Sequence, residues 1–224
     1  GRIDDIRLLY VYAGYANGTP TGTYVFNNAV LGNVIASLYR FLPGFPWYYA
    51  LHLMCIAIFD LILGFAIHSS LRASRRSIVL GVVVHVVAMF CVALDAMTLM
   101  HFEVTATIAA SGAILSLLMC ADEKDGKRPG YVASLLLMMI AYMTNKNASY
   151  PALALIVMLV VLKAVICLRC GERMGISSLI FVVVLVCALF GLKTTDQLLH
   201  DDSWAEYSAM NSYRVVYSDY PHDD

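Results

Sequence analysis

Six apolar stretches, each set off from the next by a short polar loop, constrain this chain more than any motif it carries. They run from Trp47 to His68, Ile78 to Leu99, Val104 to Ala121, Tyr131 to Met143, Pro151 to Leu168 and Ile176 to Leu192. Crossing the hydrocarbon of a bilayer takes about 20 apolar residues in a helix, fewer where neighbouring helices shelter the ends. The expectation is an all-α fold, a polytopic transmembrane helical bundle. Composition agrees, with 60% hydrophobic and 14% charged residues, against about 45–50% and 25% in soluble domains.

A further stretch, Tyr24 to Leu42, is apolar but holds Asn27, Asn28, Asn33 and Arg40, which are costly in lipid. It is expected to lie along the membrane surface as an extracytoplasmic interfacial helix. Loop charge supports this choice, because lysine and arginine accumulate in short cytoplasmic loops. With Tyr24 to Leu42 outside the membrane, Arg72, Arg75, Arg76, Lys124, Lys127, Arg128, Lys163, Arg169 and Arg173 all fall on one side. Three units follow: residues 1–45 as an extracytoplasmic first loop and interfacial helix, 46–192 as a transmembrane bundle of about six helices, and 193–224 as an extracytoplasmic polar segment. The expected location is the cell membrane, in a multi-pass arrangement. No apolar segment precedes the first aspartates and the chain begins at Gly1, which predicts a piece of a longer protein lacking its first membrane helix.

A formal net charge of −1 and the lack of an arginine-rich arm leave no footprint for nucleic acid. Cysteines lie inside or at the ends of apolar runs, where a thiol packs as a small hydrophobe; Cys167 and Cys170 form a CxxC with no second pair to complete a zinc site. Asp4 and Asp5 are adjacent carboxylates beside an apolar bundle, a pairing suited to a metal, a phosphate or a hydroxyl, although exposed acidic pairs are usually just solvated. Asp60 lies mid-span, where it serves function or pairs with a polar group on a neighbouring helix; Asp95 sits nearer the outer end of its helix. Lys146 and Arg214 suit a carrier phosphate through charge-assisted hydrogen bonds, or are solvated loop residues. His200, Asp201 and Asp202 are metal-ligand types in what reads as a flexible acidic tail, and Trp204, Tyr207, Tyr213, Tyr217 and Tyr220 read first as headgroup anchors and second as stacking surfaces for sugar rings.

The opening segment Ile3-Asp4-Asp5-Ile6, then Ala13-Gly14-Tyr15, Pro20, Asn28, Gly32, Leu38-Tyr39, Pro43 and Pro46-Trp47-Tyr48, resembles bacterial multi-pass membrane proteins of the GT-C glycosyltransferase type. His101-Phe102-Glu103-Val104-Thr105-Ala106-Thr107 with Gly112 resembles their entry from an outer loop into a helix. Trp204, Asn211, Tyr213-Arg214 and Asp219-Tyr220-Pro221 resemble their polar extension after a later helix. The resemblance covers most of the chain in order and spacing, through short motifs. It implies transfer of a sugar from a polyprenyl-phosphate donor to an acceptor at the outer face, beside membrane lipid, in assembly of a cell-envelope polysaccharide. It also implies that Asp4 or Asp5 acts as the catalytic base or as ligand of a divalent cation, with Arg214 and Lys146 on the substrate phosphate. The chain departs from the family pattern at Pro20-Thr21-Gly22-Thr23, where an acidic residue or histidine is expected after the proline. The alternatives are an exporter or flippase component of surface-polysaccharide assembly, in which Asp60 and Asp95 would matter, and a scaffold without chemistry.

Overall fold

The structure is a computed structural model and describes residues 2–24, 27–70, 75–98, 101–121, 129–170, 176–200 and 204–219. Every regular element among them is a helix: α1 (Arg2–Tyr12), α2 (Ala29–Phe41), α3 (Trp47–Ser70), α4 (Arg75–Thr98), α5 (Phe102–Ala121), α6 (Pro129–Thr144), α7 (Lys146–Cys170), α8 (Ile176–Leu198) and α9 (Trp204–Asp219). Four helices, α3, α5, α7 and α8, are long and apolar enough to cross a membrane. The described apolar parts of α4 and α6 are shorter, Ile78–Val92 and Gly130–Thr144.

Helix α5 is the hub, packed by α3, α6 and α7. Its buried face carries Ala106, Ala109, Ala110 and Ala113, a helical spacing of small side chains that lets neighbouring backbones approach where lipid supplies no hydrophobic drive. Larger partners close around that stripe: Ile56 from α3, Leu137 and Met138 from α6, Ile156 from α7 and Leu185 from α8. The opposite surfaces stay apolar and open, as at Val83, Val86 and Phe90 of α4, Val161 of α7 and Phe190 of α8. Core and exterior are thus equally hydrophobic, which is the pattern of a bundle whose solvent is lipid.

Helix α2 lies across one end of this bundle. At its start the Asn28 N–H donates to Met143 O at 2.9 Å, and Asp196 Oδ1 accepts from the Ala29 N–H at 2.6 Å. At its finish the Tyr39 hydroxyl accepts the N–H of Tyr48, in the first turn of α3. Met143, Asp196 and Tyr48 belong to the ends of three different bundle helices, so both ends of α2 touch the same face of the bundle. Asn28 caps it, its Oδ1 accepting from the Val30 N–H at 2.9 Å, the usual relief for an orphaned first-turn donor. Gly32 faces Gly22 so closely that an added Cβ would collide with the Gly22 carbonyl oxygen; the absence of a side chain is what lets the segment before α2 lie flat on it.

The stretch from Tyr24 to Leu42 is helical over a narrower range than expected, since Tyr24 precedes the helix. Both polar segments contain a helix, α1 and α9, that apolar runs did not reveal. Helix α7 begins at Lys146, ahead of Pro151, because Asn145 Oδ1 accepts from the N–H groups of Asn147 and Ala148 and caps it there. Helix α8 continues past residue 193 to Leu198, carrying Asp196 to the end of the bundle.

Candidate functional site

Helix α1 has two faces of different use. Asp5, Leu8 and Tyr12 recur at helical spacing and are buried against the bundle, with Leu31, Ile35, Tyr39, Tyr48 and Phe102 around the two hydrophobic members. Ile6, Arg7 and Tyr10 turn the other way and line a cavity of about 840 Å³ with Met210, Asn211 and Tyr213 of α9. This first cavity is mostly apolar.

A second cavity of about 640 Å³ shares Val11, Tyr24 and Tyr207 with the first and adds Asn17, Thr21, Thr23, His200 and Trp204. A third, of about 70 Å³, shares His200 and Trp204 with the second and is lined further by Asn27, Asn28, Tyr142, Lys146, Asp196 and Ser208. The three cavities adjoin at the end of the bundle, apolar between α1 and α9 and polar where α2, α7 and α8 meet.

Asp5 does not line these cavities. It is 3% exposed, and its Oδ1 accepts from the Tyr48 hydroxyl at 3.0 Å and from the Phe102 N–H at 3.0 Å. The second bond places a carboxylate on the N-terminus of α5, where the helix dipole favours negative charge. His101 Nε2 stands 3.6 Å from Asp5 Oδ2. Since His101 Nδ1 accepts from the Glu103 N–H at 3.2 Å, the ring proton of neutral His101 sits on Nε2 and faces the carboxylate. A divalent cation needs several open oxygen ligands, whereas Oδ1 of Asp5 is already engaged twice. No group of three His, Cys, Asp or Glu side chains gathers among the described residues. Asp5 does not fit an open metal site.

The other expected residues divide. Lys146 is exposed in the first turn of α7 and reaches the third cavity. The side chains of Asp4, Asp95, Arg214 and Tyr217 lie outside the described residues, as do Asp201, Asp202 and Tyr220. Asp60 pairs with His85 across α3 and α4, Oδ1 to Nε2 at 2.5 Å, and Gly64 leaves the space that the imidazole occupies.

Three groups escaped the sequence reading. Arg7 adds a cation to the apolar first cavity; its helical spacing from Tyr10 was the available signal. Tyr12 is buried with a hydroxyl that completes no hydrogen bond among the described residues, and burial raises its pKa above the ordinary phenol value while the nearby Asn27 side chain opposes the shift slightly. His52 is a satisfied core histidine: Nε2 donates to Ala96 O at 2.7 Å, so Nδ1 accepts from Thr105 Oγ1 at 2.6 Å, joining α3, α4 and α5.

The chain matches no protein-family model, no curated protein and no solved structure.

Proposed function

We propose that the protein is a membrane glycosyltransferase, or part of one, that moves a sugar from a polyprenyl-phosphate donor to an acceptor at the extracytoplasmic end of its bundle. One observation carries the reading: adjoining cavities at the end of an apolar bundle whose lining changes from apolar to polar. A lipid-linked sugar has the same division, a chain at one end and hydroxyls and phosphate at the other. Arg7 and Lys146 supply cations in these cavities, and a fixed positive charge stabilises a leaving phosphate. In this reading a carboxylate of α1, Asp4 or Asp5, takes the proton of the acceptor hydroxyl, and Asp5 does so only once donor binding frees it from Tyr48 and Phe102.

A second reading is favoured by the two hydrogen bonds on Asp5 Oδ1: Asp5 is a strut that fastens α1 to α3 and α5. Asp5→Asn separates the two, because an amide oxygen still accepts from Tyr48 and Phe102 but cannot take a proton. Release of polyprenyl phosphate from a polyprenyl-phosphate hexose is measured in membranes holding the full-length protein. Loss of release in Asp5→Asn with an unchanged melting midpoint supports the base. Unchanged release assigns the strut, and a wild-type protein that consumes no such donor refutes the transferase.

A further inference from the structure

Asp60 and His85 pair in the apolar middle of two helices, yet they open to the outside of the bundle. Asp60 is midway along α3, and His85 is at the centre of the apolar part of α4, Ile78–Val92. His85 Nε2 stands 2.5 Å from Asp60 Oδ1, and Gly64 gives the imidazole its room. The Asp60 side chain nonetheless stays 40% exposed and that of His85 29%. Ionisable groups at this depth almost always face the interior of a bundle, because lipid offers them no hydrogen bond. A face that breaks this rule calls for protein to cover it.

The atoms left over define the cover. Apolar surroundings favour an electrically neutral pair, which is either carboxylate with imidazolium or carboxylic acid with imidazole. In the first, the Nε2 proton is donated to Oδ1; in the second, an Oδ1 hydroxyl donates to Nε2. Nδ1 carries a proton in both, and Oδ2 keeps a bare lone pair in both. Neither atom has a hydrogen-bond partner among the described residues. The pair thus presents one donor and one acceptor, and under a two-fold axis this set matches itself, the Nδ1 proton of each copy meeting Oδ2 of the other. A partner helix with a single charge would satisfy only one of the two atoms. The flanks are apolar, with Leu61 and Phe65 of α3 and Val82 and Val86 of α4 all more than half exposed. Helix α4 packs chiefly on α3, which leaves its outer side open to a second bundle.

We propose that the α3–α4 face is a homodimer interface within the membrane, where two Asp60–His85 pairs meet across a two-fold axis and exchange two hydrogen bonds. The proposal concerns the lipid-facing side of the bundle and stands apart from the transferase reading.

The full-length protein is labelled with donor and acceptor fluorophores in separate batches, mixed in detergent, and energy transfer is followed as the protein-to-detergent ratio falls. A saturable monomer–dimer curve is the expected result. Asp60→Leu/His85→Leu removes both hydrogen-bonding atoms and leaves a surface that lipid solvates, so dimerisation should weaken about tenfold, the effect of two interhelical hydrogen bonds of ordinary size in a membrane. In membranes, Leu61→Cys in a background without the native cysteines should crosslink to its own copy, whereas Val161→Cys should not, since it lies on α7, which packs on α5, α6 and α8. A dimer that the double leucine variant leaves unchanged overturns the proposal, as does crosslinking at 161 without crosslinking at 61. A monomer at every ratio overturns it as well. Dicyclohexylcarbodiimide, which attacks carboxyl groups within lipid, then tells the remaining cases apart: protection of Asp60 assigns the cover to another helix of the same chain, and reaction leaves the pair facing lipid.

Discussion

Asp196→Ala isolates the interaction that holds α2 across the end of the bundle. Asp196 Oδ1 accepts the Ala29 N–H at 2.6 Å, and Ala29 is fully buried. A hydrogen bond to an ionised acceptor contributes about 1.5–3 kcal/mol, and loss of a helix cap costs about 0.5–2 kcal/mol. Asn28 still satisfies the Val30 N–H, so the two ranges describe one lost bond and overlap near about 2 kcal/mol. For a chain of this size about 2–4 °C accompanies each kcal/mol, so the helical melting midpoint should drop by about 4–8 °C. Asp196→Asn retains an oxygen and loses only the charge at the helix N-terminus, about 0.3–1 kcal/mol, and should fall between Asp196→Ala and wild type. Circular dichroism melts of the three proteins in one detergent give the midpoints. Hydrogen–deuterium exchange localises the effect, with α2 amides expected to exchange about 30-fold faster in Asp196→Ala. A midpoint within about 1 °C of wild type, with α2 protection intact, would refute the argument that this carboxylate anchors the helix.

Tyr12→Phe removes a buried hydroxyl that completes no hydrogen bond among the described residues, so it should leave the neutral-pH midpoint unchanged or slightly higher. Burial raises the folded pKa of Tyr12, so the unfolded chain loses its proton first and stability declines as pH climbs above about 10; melts in alkaline buffer should show that decline to be smaller in Tyr12→Phe than in wild type. His85→Leu leaves Asp60, part-exposed in the middle of the apolar helix α3, without its partner, so it should lower the midpoint more than the double variant Asp60→Leu/His85→Leu, since a broken pair in apolar surroundings is worse than an apolar replacement. Equal losses in the single and double variants would show that the unpartnered Asp60 carboxylate costs nothing and would refute the argument.

The bundle was legible because the hydrocarbon thickness sets a length that a sequence either meets or does not. All six apolar stretches appear as helices, shifted by a few residues at their ends, and four of them are long and apolar enough to cross a membrane. The ends moved where local capping outweighed the apolar pattern: Asn145 starts α7 before Pro151, and α8 runs on through polar residues to reach α2 with Asp196. Asp60 was legible for a related reason, since an intramembrane carboxylate demands a partner, although nothing in the sequence selected His85 over another polar group. Helices α1 and α9 stayed hidden because neither has the strong apolar stripe of a surface helix. What holds α1 is contact at Leu8 and Tyr12 with residues far along the chain.

The candidate site was harder to read because its value depends on direction, which a sequence does not print. Asp4 and Asp5 are neighbours, so on a helix they point about 100° apart, and adjacency says nothing about a shared target. In the fold Asp5 turns inward to cap α5, while Ile6 and Arg7 turn toward the first cavity. His200 illustrates the converse. Beside Asp201 and Asp202 it looks like part of an acidic tail, yet Asp196, His200, Trp204 and Ser208 recur every four residues. All four line the third cavity. Helix α8 ends at Leu198 and α9 begins at Trp204, so the shared cavity rather than one helical face brings these four together. Hydropathy measures how much surface a segment must hide, whereas polar periodicity measures which way it faces, and a site in a membrane protein is found by the second.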